Sequence, residues 1–259
     1  MRLYVKATSS YKGTLEDIDV KKELKKTYKL DTRRQDRFIH LALWGAMRLK
    51  EKCEISSDDE LYITSGVGNM DIVQKSNEYV NVQKEILRPF DFINMLGNTT
   101  SFYIASALGV KSKNIFQISN SFTFINTLIS IYASLSVSKK EAVLGSLDLA
   151  TQPQSLIKRV LGVSKEVEVL SAVNYQKLSL NADDALAIVE FETQTYSLSE
   201  VEILTKESEI KVIFASHNED YFETRASYYI NAAIEAREEL MYIDASKGRY
   251  KVIRVLKVA

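Results

Sequence analysis

Asn114-Ile-Phe-Gln-Ile-Ser-Asn-Ser-Phe122, with Ile125, Ile129 and Tyr132 following it, is the stretch on which the fold turns. Ile115, Gln117 and Ser119 alternate with Phe116 and Ile118, the period-two pattern of a short strand. From Phe122 onward the apolar positions recur every three or four residues, the period of a helix. A strand that passes at once into a helix leaves the intervening side chain on a sharp elbow with helix N-terminal amides behind it, a place suited to a nucleophile or an oxyanion. Here Ser121 is the candidate nucleophile and Asn120 a candidate hydrogen-bond donor. The elbow lacks the flanking glycines that let a serine elbow fold tightly, so an ordinary N-cap formed by Ser121 or Asn120 is the simpler reading.

The same rhythm extends in both directions. Upstream, Leu3 to Ala7 reads as a strand, and Leu61-Tyr-Ile63 as another ending in the turn Ser65-Gly-Val-Gly68. Between them Phe38, Leu41, Ala42, Gly45 and Leu49 carry helical spacing, with Asp31-Thr32 as the expected N-cap. Met95, Asn98 and Phe102 fall at i, i+3 and i+7, which would align them on one helical face. Downstream come strand Glu141–Gly145, helix Gln154–Leu161, strand Val167–Val173 and the near-continuous apolar run Ala185–Phe191 of a buried strand. Strand Val212–Ala215, a helix from Tyr221 to about Leu240 and strand Tyr250–Val258 complete the chain. This alternation predicts an α/β fold, its central sheets mixed but mainly parallel, with helical layers over them. The polar stretch Glu192–Glu209 is the expected boundary between a larger part, 1–191, and a smaller part, 192–259, packed on it as one globule.

Composition narrows the function. The chain has 259 residues, 46% hydrophobic and 26% charged, enough apolar material for a buried core. Thirty-four basic residues offset 34 acidic ones, which removes the global electrostatic case for nucleic acid or an anionic membrane. Nine glycines and two prolines disfavour glycine-rich phosphate cradles and Pro-rich linkers. The single cysteine, Cys53, excludes an internal disulfide, and no run of ~20 apolar residues suggests a membrane span. Met1 to Gly13 lacks the apolar block of a signal peptide, so a cytoplasmic protein is expected.

Few side chains offer chemistry near neutral pH. His40 lies between Ile39 and Leu41 and reads as structural. His217 follows a strand and precedes Asn218, Glu219 and Asp220, and strand carboxyl ends are where α/β proteins place their sites. Cys53 is flanked by charges with no base beside it. Two distant histidines and one cysteine make no metal cluster, and Gly66-Val-Gly68 lacks the third glycine of a dinucleotide fingerprint, so neither metal nor nucleotide is assigned. Lys21–Lys29, balanced by neighbouring acids, reads as a solvated helix face.

Taken in order, several pieces resemble the N-terminal half of the β-ketoacyl synthases, members of the thiolase fold. They are Leu61-Tyr-Ile-Thr-Ser-Gly-Val-Gly-Asn-Met-Asp71, Pro89-Phe90 leading to Asn98 and Ala105-Ser-Ala-Leu-Gly109, the strand Asn114–Ser119, and Ala142-Val-Leu-Gly-Ser-Leu-Asp148. A fainter match, Ala182 to Glu190, looks like the strand after the family's acidic glycine segment, with the glycines gone. Family enzymes need a cysteine on the elbow to take an acyl group, and two histidines to assist decarboxylation and stabilise the developing negative charge. In this chain Asn120 or Ser121 occupies the cysteine position, depending on the direction of counting. His217 marks a remnant of the first histidine, no histidine follows it, and the C-terminal half is shortened.

The resemblance therefore implies a chain-length factor, a nucleophile-less subunit that pairs with an active ketosynthase and shapes its acyl tunnel. The short form found in bacterial aryl-polyene pigment clusters is the nearest likeness. It implies no catalytic residues and no cofactor, a heterodimer joined through the strand Asn114–Ser119, and contact with acyl carrier protein through the complex. Polyketide or fatty-acid-like synthesis is the implied setting. Met95, Asn98, Phe102, Phe116 and Ile118 are the expected tunnel or interface residues, with ordinary packing as the competing reading. The rival function is a serine-dependent acyltransferase or hydrolase using Ser121 with His217, oriented by Asp220 or Asp148. A third is a homodimeric acyl-binding scaffold.

Overall fold

The computed structural model describes residues 1–15, 18–119, 121–215 and 224–258. In chain order its elements are β1 (Arg2–Gly13), α1 (Val20–Lys26), α2 (Arg37–Lys50), β2 (Glu60–Ser65), α3 (Met70–Asn77), α4 (Pro89–Met95), α5 (Gly97–Leu108), β3 (Asn114–Ile118) and α6 (Thr123–Ser138). Then follow β4 (Ala142–Asp148), α7 (Gln154–Leu161), β5 (Ser171–Ser179), β6 (Ala187–Phe191), α8 (Leu198–Lys206), β7 (Lys211–Phe214), α9 (Arg225–Ala236), β8 (Leu240–Ser246) and β9 (Arg249–Leu256). No helix among the described residues is long and apolar enough to cross a membrane.

The strands form one nine-stranded sheet in the order β3-β2-β4-β5-β1-β6-β9-β8-β7. Period-two alternation sends side chains to opposite faces. Leu61, Ile63, Val143, Val173 and Tyr175 therefore pack beneath α2 and α5. Tyr62, Leu144, Leu178, Val189 and Tyr242 face α6 and α9 on the other side. Helical layers on both faces and a mixed sheet agree with the α/β expectation.

The share of parallel pairing is smaller than alternation suggests. Among the described residues β2 with β3, β2 with β4 and β7 with β8 run parallel, and the other five pairings between named strands are antiparallel. After β4 the chain does not make a βαβ crossover: it passes through α7 and returns as β5 against β4 in the opposite sense. At the far end β8 and β9 form a hairpin whose turn, Lys247-Gly248, has φ of 51° and 74° at its two residues, the backbone a two-residue hairpin turn demands.

Three local expectations are corrected, and the polar stretch after β6 gains a helix. The cap of α2 is Asp36, whose carboxylate accepts from Ile39 N at 3.0 Å, while Asp31 instead holds the Arg33 guanidinium. The strand expected at Val167–Val173 is Ser171–Ser179, because Asn174, Gln176 and Lys177 break the apolar pattern yet are buried by distant partners. Gln176 donates to Asn231 at 2.6 Å, and Lys177 pairs with Asp59 and with Glu141. The last helix ends at Ala236, where Arg237 turns left-handed with φ 57°, and β8 begins at Leu240. Glu192–Glu209 contains α8, begun by a capping box between Ser197 and Glu200 and seated by Val201 on Met241, Ile243 and Val252.

Close approach explains two glycines in the middle of this assembly. The Tyr175 ring is wholly buried between α2 and β4, and its hydroxyl donates to the Ala42 carbonyl at 2.9 Å. A Cβ on Gly145 would lie 2.4 Å from Tyr175 Cε1, and one on Gly45 would lie 2.4 Å from Val173 Cγ2.

Candidate functional site

Because β2, β3 and β4 are parallel, their carboxyl ends open on one side of the sheet, where loops can assemble a site. Asp148, last residue of β4, is buried there. Its Oδ1 accepts from Ser65 Oγ at 2.8 Å and Gly66 N at 2.9 Å, and its Oδ2 accepts from Thr224 N at 2.8 Å. Burial pushes this carboxyl up from the ordinary range, and the donors oppose the shift. Asp148 thus ties the glycine turn after β2 to the start of α9.

The elbow after β3 is held by its own polar groups. Ser119 Oγ donates to the Ser121 carbonyl at 2.9 Å and accepts from Ser121 N at 3.2 Å. Thr123 Oγ1 donates to the Ser119 carbonyl, and Asn126 Nδ2 donates to the Ser121 carbonyl at 3.1 Å. Phe122 caps α6 without a side-chain hydrogen bond, so Ser121 is not a side-chain cap. With φ 52° and ψ 37° Phe122 sits in the left-handed region, a conformation unusual for a bulky residue and a mark of local strain. The Lys251 ammonium lies 5.8 Å from the centre of its ring.

A cavity of about 540 Å³ opens beside the elbow, lined among others by Val67, Ile118, Ser121, Phe122, Arg225, Asp244 and Ser246. Ser121 Oγ donates to Ser246 Oγ at 2.8 Å. Its hydroxyl is therefore engaged with a second hydroxyl rather than a titratable base. Burial pushes the Asp244 carboxyl up to about 6, against the pull of Arg225 and Lys251. Among the described residues that line this cavity, no hydroxyl is hydrogen-bonded to a titratable base. Asn120, His217 and Asp220 lie outside the described residues.

The other candidates disperse. His40 is buried on α2 with Nε2 3.3 Å from the Thr32 carbonyl oxygen, and burial lowers its pKa. Cys53 follows α2, donates to the Leu49 carbonyl at 3.7 Å, and has its thiol pushed up by burial. No group of three or more potential metal ligands occurs among the described residues.

Met95, Asn98 and Phe102 do not share one helix: Met95 ends α4, Leu96 is extended at ψ 120°, and α5 starts at Gly97. The break seats α5 on β3, since a Cβ on Gly97 would lie 2.6 Å from Phe116 Cδ1. Phe116 is half-buried and stacks edge-on against Phe38 at 6.4 Å. Phe102 and Ile118 are 62% and 55% exposed. Sequence reasoning missed Asp244 and Ser246 because it ended a helix near Leu240 and assigned no strand before Tyr250, where β8 runs. Lys247-Gly248 between two apolar alternating runs was the signal that would have found them.

No protein-family model matches the sequence, and neither does any curated protein. Solved structures do match in fold. The ishigamide ketosynthase/chain length factor superposes with a TM-score of 0.77 over 100% of both chains at 11% identity. The ketosynthase ApeO in complex with its chain length factor ApeC, from Xenorhabdus doucetiae, gives 0.60 over 96% of this chain and 98% of that one at 9% identity. A β-ketoacyl synthase from Burkholderia phymatum gives 0.67 over 100% of both chains at 9% identity. At such identities the shared property is the fold: this chain has the thiolase-like fold of the ketosynthases and chain length factors.

Proposed function

We propose that this chain is a non-catalytic, ketosynthase-like subunit of the chain-length-factor type, pairing with an active β-ketoacyl synthase and shaping its acyl tunnel. One observation carries the reading: β3, the strand leading to an elbow with no thiol among its described residues, is a free edge of the sheet flanked by exposed apolar side chains. Ile115 and Ile118 on β3, Phe92, Ile93 and Leu96 at the end of α4, and Phe102 on α5 are all exposed. Exposed apolar surface of this kind beside an unpaired strand marks an interaction face. A partner strand added to β3 would extend the sheet and cover those side chains. Covalent acyl transfer would then belong to the partner, and Met95, Asn98, Phe102, Phe116 and Ile118 would line the interface or the tunnel.

The reading extends to polyketide synthesis, with an aryl-polyene setting suggested by the sequence resemblance. Carrier protein would reach the site through the assembled complex. The test is co-expression with a ketosynthase encoded beside the gene, followed by size-exclusion chromatography and an elongation assay with malonyl-carrier protein. A one-to-one complex whose activity survives changing both Asn120 and Ser121 to Ala supports the proposal. A lone homodimer whose own turnover is abolished by those changes overturns it. Phe102→Ala should alter product length; an unchanged product removes Phe102 from the tunnel floor.

A further inference from the structure

A cleft of about 710 Å³ lies among the start of α1, the start of α2, and helices α3 and α4. On α4, the lining residues Asp91 and Asn94 are only 8% and 4% exposed. Asp91 Oδ1 accepts from Lys75 Nζ at 3.0 Å, yet its Oδ2 has no donor among the described residues. Asn94 Nδ2 donates to the Arg34 carbonyl at 3.0 Å, which fixes the amide, and its Oδ1 is likewise unpaired. Gln35 Oε1 and Gln74 Oε1, on half-buried residues of the same lining, are unpaired too. A buried acceptor that finds neither a protein donor nor water forfeits a hydrogen bond, so four around one cleft call for donors from outside the chain.

The neighbouring acids set the sign of that donor. Asp36 and Asp71 also line the cleft. Burial pushes both carboxyls up, with Asp91 adding to the shift at Asp36 and Asp36 to that at Asp71, so three negative charges stand within reach of one another. Arg37 meets Asp71 at 3.4 Å and Lys75 meets Asp91, whereas Asp36 is held by amide donors, Ile39 N at 3.0 Å and Asn69 Nδ2 at 2.7 Å. His40 lines the same wall, and burial lowers its pKa, so it adds no cation at neutral pH. Exposed Lys21 and Arg34 put positive charge at the rim instead, Arg34 with its guanidinium 4.5 Å from the centre of the Phe90 ring.

We infer that this cleft binds a small molecule carrying one primary ammonium group on an apolar body. The ammonium donates to Asp91 Oδ2 and Asn94 Oδ1, and the body lies along Ile18, Val20 and Phe90. The cleft's volume is that of a site for a drug-sized ligand. The rim cations repel a second ammonium, which disfavours a polyamine, and they tolerate a carboxylate. A monoamine and an amino acid with an apolar side chain share the required chemistry. A metal ion is disfavoured, since no group of three or more potential ligands occurs among the described residues. The inference stands apart from pairing with a ketosynthase.

The experiment is isothermal titration calorimetry of the full chain, in about 50 mM salt to limit screening, with phenethylamine, L-phenylalanine, phenylacetate and spermidine. Phenethylamine and L-phenylalanine should bind saturably with a Kd of about 1 mM or below, and phenylacetate and spermidine at least about tenfold more weakly. Tighter binding of L-phenylalanine assigns the ligand to the amino acids and tighter binding of phenethylamine to the monoamines; both sustain the inference. Asp91→Asn, which removes the charge, and Asn94→Leu, which removes the acceptor, should each weaken binding of the two amines about tenfold. Gln74→Leu replaces either variant that does not fold, as judged by thermal melting. Glu207→Gln, which neutralises an exposed acid at the end of α8, should leave binding unchanged. The inference is overturned by three results: no saturable binding of either amine up to about 10 mM, phenylacetate or spermidine matching them, or full binding by both cleft variants.

Discussion

The two free edges of the sheet are built differently. β7, at one end, has four residues, opens with Lys211, and ties that lysine to Glu238 at 3.1 Å. β3, at the other, has no charged residue and presents Ile115 and Ile118 beside the exposed apolar residues of α4 and α5. Shortness and a charged residue are the usual protections of an edge against unwanted pairing. β7 has both, whereas β3 lacks the charge and borders a hydrophobic face. The contrast separates an edge guarded by a charge from one left open beside an apolar face.

The largest effect should come from the centre that holds both edges in place. Tyr175→Ala removes the ring wedged between Gly145 and α2 and should lower stability by about 3–5 kcal/mol, read as a reduced urea midpoint with unchanged slope. Both edges should then weaken together. Next, Ile118→Lys on β3 should weaken pairing with a ketosynthase about 100-fold, some 2–3 kcal/mol, at unchanged stability of the chain alone. Phe214→Lys on β7 should leave pairing intact, and equal losses from the two changes would erase the distinction between the edges.

A smaller, pH-dependent effect belongs to Asp244 on β8, the strand beside β7. Its carboxyl rises on folding from 3.8 to about 6. A raised acid favours the protonated fold, so its contribution is complete below pH 4 and is lost as pH climbs through 6. Asp244→Asn should therefore stabilise the protein by about 1–2 kcal/mol at pH 7.5, and by nothing measurable at pH 3.5, in thermal melts at the two pH values. The smallest effect is Lys211→Ile, which removes the charge guarding β7. Stability should shift by less than about 0.5 kcal/mol, while light scattering at high concentration should show new self-association.

Legibility followed locality. Helix Gln154–Leu161 was read to the residue, and α2, β2, β3 and β4 within a few positions, because each carries its own period and its own stop. The failures are places where a distant partner overrides the local pattern. β5 reads as polar after Val173 until Asp59 and Asn231 arrive to satisfy Lys177 and Gln176. The Met95–Phe102 stretch reads as one helix until the Phe116 ring requires the chain to restart at Gly97. At the elbow, the sequence places the strand, the turn and the lack of a cysteine, but not the partner of Ser121, which comes from Ser246, 125 residues away.

The sequence by itself determined the α/β class, the order of most elements, the elbow between β3 and α6, and a single cysteine that lies elsewhere. These are consequences of side-chain period and residue identity, which neighbours along the chain carry. Only the tertiary structure decided which strands pair in which sense, which edge is left open, and which buried acceptors on α4 find no donor among the described residues. Those properties depend on what lies across a gap in space, and buried hydrogen bonds and ion pairs between residues far apart in sequence leave no periodic trace in it.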